Sequence, residues 1–150
     1  MKCKTFMIVD DDQEDRYFFR MAVSEIDESI KCIEAMDGEN ALAMLKTADM
    51  LPDFIFLDVN MPKMWGVECL KHLKADCRLA QIPVVMYSTS FSQLTINEFL
   101  SLGAVHCLLK PFDLDMLPGM ILNVIESIEA TSPQKRNSDL NRIFPDPGFQ

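Results

Sequence analysis

No run of apolar residues at the start of this chain is long enough for a signal peptide or a membrane span. After Lys2 and Lys4 the first apolar stretch, Phe6-Met7-Ile8-Val9, gives way at once to acids, whereas a helical span needs about 20 residues. Cytoplasmic residence without a membrane partner is the expectation. The sequence also has no Lys/Arg stripe or arginine-rich arm. Its formal net charge is -9, with three basic and two acidic residues in 131–150, so the acidic excess belongs to the preceding body. That body repels nucleic-acid phosphate, and no residues are left over for a separate DNA-reading module. The five cysteines, Cys3, Cys32, Cys69, Cys77 and Cys107, are odd in number and show no C-x-x-C spacing. They read as reduced thiols rather than a disulfide or metal framework. Internal repeats and low-complexity stretches are absent, and 150 residues leave room for one folded domain.

What is there is a regular alternation. Phe6–Val9 is short and apolar enough for a buried strand, and Asp12-Gln13-Glu14-Asp15 offers a helix cap and an acidic first turn. The helix is predicted to run to about Ile26 with Phe18, Met21, Ala22 and Ile26 inward. A second strand is expected over Ile30–Met36, then a helix after Asp37-Gly38 carrying Ala41, Leu42 and Leu45. Phe54–Leu57 ends in Asp58, and a loop from Met61 to Gly66 precedes a helix with Val67, Leu70 and Leu73 on one face. Val84–Tyr87 ends in Ser88, Thr89 and Ser90. A helix over about Gln93–Leu102 stops at Gly103, a strand over Val105–Leu109 leads into Lys110-Pro111, and a last helix is predicted from about Leu114 to Ala130. Pro118 belongs near its first turn, where a missing N–H costs little. Five strands alternating with five helices, several strands apolar throughout, imply an α/β sandwich: a central five-stranded parallel sheet covered on both faces. The folded domain is expected over residues 1–130, with 131–150 a mobile, Pro-containing tail.

Open parallel sheets bind ligands beyond the carboxyl ends of their strands. There the sequence gathers Asp10, Asp11 and Asp12 after strand one, Asp58 after strand three, Ser88 after strand four and Lys110 after strand five. Adjacent carboxylates repel one another unless a cation compensates. Hard oxygens at this density suit Mg²⁺, which takes one or two carboxylates beside phosphate oxygens. A carboxylate such as Asp58 can be the nucleophile toward a phosphoryl group, with a lysine and a hydroxyl contacting its oxygens. Each part also has an ordinary explanation: strand-tip acids cap helices, a Lys before Pro is a solvated charge, and serines make turns. Their joint placement is what shifts the balance.

Val9-Asp10-Asp11-Asp12, then Leu57-Asp58-Val59-Asn60-Met61-Pro62 with Gly66, the Ser88 strand end, and Lys110-Pro111-Phe112 resemble the receiver domain of two-component response regulators. The match spans residues 5 to about 130. The resemblance implies a flavodoxin-like (βα)5 fold that accepts a phosphoryl group from the phosphohistidine of a sensor histidine kinase or phosphotransfer protein. It implies Asp58 as phosphoacceptor, Asp11 as a direct Mg²⁺ ligand, Asp10 acting through a metal-bound water, and Asn60 contributing its backbone carbonyl. Lys110 is implied as phosphoryl-binding, Ser88 as the switch hydroxyl, and the Lys110–Pro111 bond as cis. The chemistry implied is self-phosphorylation and autodephosphorylation rather than turnover of a separate substrate. The signal would pass in trans to a protein target through the surface of helix four, strand five and helix five. Three positions depart from the common pattern. Cys107 stands where an aromatic switch is frequent, Trp65 where an acid is common, and Thr89 where a small residue is usual.

The alternative is a pseudo-receiver using the same fold for phosphorylation-independent interaction. A flavin site lacks a Gly/Ser/Thr-rich loop after strand one, and a phosphatase wants a second acid where Asn60 stands. His72, beside Leu70 and Leu73, and His106 in strand five read as structural histidines rather than phosphohistidine relays.

Overall fold

A computed structural model describes residues 4–131. The strands are β1 Thr5–Val9, β2 Lys31–Ala35, β3 Phe54–Asp58, β4 Val84–Ser88 and β5 His106–Leu109. The helices are α1 Gln13–Ile26, α2 Gly38–Thr47, α3 Gly66–Ala75, α4 Gln93–Ser101 and α5 Leu117–Ala130. The tail expected over 131–150 lies, beyond Thr131, outside the described residues.

All strand pairs are parallel, in the order β2-β1-β3-β4-β5. The chain therefore reverses direction across the sheet between β1 and β3, and their carboxyl ends flank the crevice where such a sheet binds ligands. Alternation along the strands divides the core in two. Met7, Val9, Ile55, Leu57, Val84 and Met86 pack with α2 and α3, joined by Phe99 of α4. Phe6, Ile8, Phe54, Phe56, Val85 and Tyr87 pack with α1 and α5. Because both faces are covered, β3 and β4 are buried at every position, which explains their uninterrupted apolar sequence.

Helix boundaries follow local chemistry. Asp12 caps α1, its carboxylate accepting the N–H of Glu14 at 2.8 Å and of Asp15 at 3.2 Å. Ser92 and Thr95 form a reciprocal capping box on α4. Gly103 closes that helix at φ +106, a conformation open to glycine at little cost. The last helix begins later than its apolar pattern suggests. Asp113 accepts the N–H of Asp115 at 3.0 Å and tightens Leu114–Met116 into a 3₁₀ turn before α5.

The buried face of α1 is also rotated from the sequence expectation. Phe19, Ala22 and Val23 are buried while Met21 is 44% exposed. The stripes beginning at 18 and at 19 both have helical spacing, and periodicity cannot choose between phases one residue apart. The Asp12 cap and Arg16, whose Nη1 donates to the Asp10 carbonyl at 2.8 Å, choose the second. Phe19 then sits 4.8 Å from the Phe56 ring and 5.9 Å from Tyr87, centroid to centroid. Phe19→Ala is expected to lower the urea-unfolding free energy by about 3–5 kcal/mol, against less than about 0.5 kcal/mol for Met21→Ala. The reverse ranking would show that α1 is set in the other phase.

Candidate functional site

The tips of β1, β3, β4 and β5 open into one cleft of about 200 Å³ lined by Asp10, Asp11, Asp12, Asp15, Asp58, Asn60, Ser88, Thr89 and Lys110. Asp10 is wholly buried. One of its oxygens accepts the Asp12 N–H at 2.9 Å and the other accepts from Lys110 Nζ at 2.7 Å. Asp11 is exposed at the rim. Asp12 points away into its helix cap, so three consecutive acids take three different environments.

Asp58 ends β3 nearly buried, and the loop after it folds back tightly. The Gly66 N–H donates to the Val59 carbonyl at 2.9 Å, and a Cβ on Gly66 would lie 2.3 Å from the Asp58 carbonyl oxygen and 2.8 Å from Val59 Cα. Only glycine lets α3 start this close to the acid-bearing strand. Between them Met64 N–H donates to the Pro62 carbonyl at 2.7 Å across Lys63, whose φ is 67. This is a positive-φ turn of the strained kind found near functional sites.

Lys110 reaches over the Tyr87 ring, 5.1 Å from its centroid. Its Nζ stands 2.7 Å from Asp10, 2.8 Å from Asp15 and 3.5 Å from Asp58. Its backbone N–H donates to the Ser88 carbonyl at 2.7 Å, tying the tips of β4 and β5. The buried Ser88 Oγ accepts weakly from the Ser90 N–H at 3.4 Å.

Comparison with known proteins gives the same answer as this geometry. The response regulator receiver domain matches residues 6–122. The chain belongs to that family. It is 36% identical over 95 residues to chemotaxis protein CheY-3 of Vibrio cholerae, covering 63% of this chain and 72% of that one. Over a stretch of the same length it is 35% identical to chemotaxis protein CheY of Pseudomonas aeruginosa, covering 63% and 75%. The solved structure of the phosphorylated cyanobacterial phytochrome response regulator RcpA superposes with a TM-score of 0.77 at 28% identity, over 87% of this chain and 96% of that one. The five-stranded parallel sheet with its covering helices is thus the flavodoxin-like fold of receiver domains.

The electrostatics of this receiver domain are dominated by burial. Burial, reinforced by the charges of Asp10 and Asp11 and opposed by Lys110, pushes Asp58 up to about 7. Burial also raises Asp10, against the pull of Lys110 and the Asp12 N–H. Burial works against the Lys110 ammonium too, but its hydrogen bonds to Asp10 and Asp15 and the charges of Asp10 and Asp58 outweigh it and hold the group above the ordinary lysine value. Carboxylate oxygens of Asp10, Asp11 and Asp58 come within 4.8 Å of one another. Hard donors at that spacing, with a charge excess that one ammonium does not cancel, fit a small divalent cation such as Mg²⁺.

The structure brings together the residues singled out from the sequence: Asp10, Asp11, Asp58, Asn60, Ser88, Thr89 and Lys110 all line the cleft. Trp65 lies outside it, 63% exposed at the start of α3, and Cys107 is half-buried against the α2–α3 side of the core. The cis bond expected before Pro111 is not found, since the described residues contain no cis peptide. Trans is the lower isomer of an X–Pro bond by about 0.5–1 kcal/mol, and in this form Lys110 already reaches the acids. His72 is exposed on α3, facing a groove toward α2, rather than packed with Leu70 and Leu73. Asp15 is the site residue that sequence reasoning missed; it lies in the first turn of α1, directly after the acid-bearing tip of β1.

Gly66→Ala is expected to lower stability by about 2–3 kcal/mol, because the clash falls on backbone rather than on a flexible side chain; unchanged denaturant midpoints would contradict the close approach. A second expectation concerns pH. In chelator, Asp58 is charged at pH 8 in both states, but its folded value lies above the ordinary 3.8, so the folded state binds the extra proton and loses stability as pH rises from about 4 through 7. Asp58→Asn should therefore be more stable than wild type at pH 8, by about 1–3 kcal/mol, with the gap closing toward pH 4. A gap that grows on acidification would mean that Asp58 is stabilised as the anion.

Proposed function

We propose that this receiver domain is a phosphoacceptor switch that takes a phosphoryl group from a histidine kinase or phosphotransfer protein onto Asp58 and signals in trans to a protein partner. The observation that carries this reading is the Asp58 carboxyl at the β3 tip, 3.5 Å from Lys110 Nζ and beside Asp10 and Asp11 in an open cleft. An Asp58 oxygen attacks phosphorus, the O–P bond forms as the N–P bond of the phosphohistidine breaks, and the leaving imidazole takes up a proton. Hydrolysis of the acyl phosphate restores the carboxylate, so the chemistry begins and ends on the protein itself. Lys110 holds a phosphoryl oxygen as a point charge, and the Ser88 hydroxyl donates to another. Asp10, Asp11, Asp58 and the Asn60 carbonyl would hold Mg²⁺, which supplies positive charge against the phosphoryl oxygens.

Phosphorylation adds about 1.5–2 negative charges to a cleft already rich in acids, and the groups able to answer are Lys110 and Ser88, on adjacent strand tips. Beyond those tips lie apolar, solvent-facing side chains: Leu94 in the first turn of α4, Leu109 at the end of β5, then Phe112, Leu114 and Met116 before α5. Exposed hydrophobic groups clustered next to a switch suit a protein partner. The acidic body disfavours nucleic acid, and among the described residues no helix is long and apolar enough to cross a membrane. The cytoplasm is the compartment that fits a histidine-kinase donor and reduced thiols.

Incubation with acetyl phosphate and Mg²⁺ is expected to add a single phosphate mass, absent in Asp58→Asn and in chelator. A protein that stays unmodified by acetyl phosphate and by phosphorylated kinases alike would instead be a phosphorylation-independent interaction module.

A further inference from the structure

We propose that Asp15 is a displaceable counter-ion of Lys110, a positioning residue that holds the ammonium in the resting protein and yields it to the phosphoryl group. The inference rests on the reading of Asp58 as phosphoacceptor and adds a competitor to that site.

A lysine ammonium has three N–H donors. Asp10 and Asp15 receive two of them at 2.7 and 2.8 Å, both short, charge-assisted bonds, while Asp58 at 3.5 Å has only an ion-pair contact. The two close partners differ in their freedom to leave. Asp10 has no exposed side-chain surface, is bound by the Asp12 N–H, and has its backbone carbonyl held by Arg16. The Asp15 side chain is 35% exposed on the first turn of α1, so water can replace Lys110 as its partner at small cost. A phosphoryl group on Asp58 brings close to two negative charges toward the same ammonium and repels the Asp15 carboxylate. Asp15 is thus the partner that gives way, and while it stays it lowers the affinity of the cleft for an anion.

The plain alternative is that Asp15 only complements the positive end of α1. Glu14 serves as control, because it shares that first turn but does not line the cleft.

Binding of beryllofluoride in the presence of Mg²⁺, followed by fluorine NMR, separates the two. Asp15→Asn is expected to bind about 3–10-fold more tightly than wild type at low salt, with the gain shrinking as salt screens the half-exposed pair. Glu14→Gln should match wild type. Unchanged or weaker binding by Asp15→Asn, or an equal gain from Glu14→Gln, would overturn the proposal. A wild-type protein that binds no beryllofluoride would sink the phosphoacceptor reading and the displacement with it. The resting pair is tested separately, without any phosphoryl analogue, by a double-mutant cycle of Asp15→Asn and Lys110→Met on the melting temperature in chelator. Non-additive shifts support the tether, and strictly additive ones refute it.

Discussion

Burying Asp10 and Asp58 side by side is tolerable because the Lys110 ammonium lies between them and Asp15. Two carboxylates removed from water at this distance would otherwise drive one another to protonate, and Asp58 is already pushed up to about 7 with the lysine in place. The position of that ammonium is a matter of topology. Lys110 follows the end of β5 at the sheet edge, and Asp10 follows the end of β1, with β3 and β4 between them. At about 4.8 Å per strand, a side chain crosses such a distance only if it is long and if sheet twist brings the tips together. The Tyr87 ring beneath Nζ supplies the apolar floor along which the lysine stem travels.

A cation so placed is useful only on a frame that does not give way. The β1 tip is fixed twice, through the Asp12 cap on α1 and through Arg16 on the Asp10 carbonyl. The β3 tip is fixed by the approach of Gly66, which leaves no space for a side chain. Both devices act on backbone, so the carboxylates project from rigid strand ends while the loop around Lys63 absorbs the strain. The apolar strands below supply the stability that makes such strain affordable in a domain this small.

Much of this arrangement is legible in the residues. Continuous apolar runs ending in Asp58 and Ser88 mark strands covered on both faces, and the acids, hydroxyl and lysine that follow the strands identify one edge. What is not legible depends on contacts between distant segments. The phase of α1 is ambiguous because stripes beginning at Phe18 and Phe19 fit equally well, and the choice falls to Arg16 and the Asp12 cap. The 3₁₀ turn before α5 comes from Asp113 acting on its own neighbours, which hydrophobic spacing does not record. Asp15 reads as one more acid favouring a helix start, because its distinguishing feature is a lysine 95 positions away. His72 looks packed when judged by its neighbours in sequence, yet the helix turns it outward.

Lys110 is held at both ends, and this limits how a change in the cleft can travel. Its Nζ sits among the acids, while its backbone N–H is committed to the Ser88 carbonyl at 2.7 Å. If Nζ shifts by rotamer alone, the backbone stays and nothing beyond the cleft is altered. If the backbone follows, the hydrogen bond to Ser88 must move with it, and so must Pro111 and the fully exposed Phe112, because proline fixes φ and leaves little slack between them. Cys107 offers no ring to swing between a buried and an exposed position. The Ser88 hydroxyl accepts only weakly from the Ser90 N–H at 3.4 Å, whereas its carbonyl is held at 2.7 Å by the Lys110 N–H, which makes the peptide of Lys110, as much as its charge, an element through which the cleft and the apolar edge are joined.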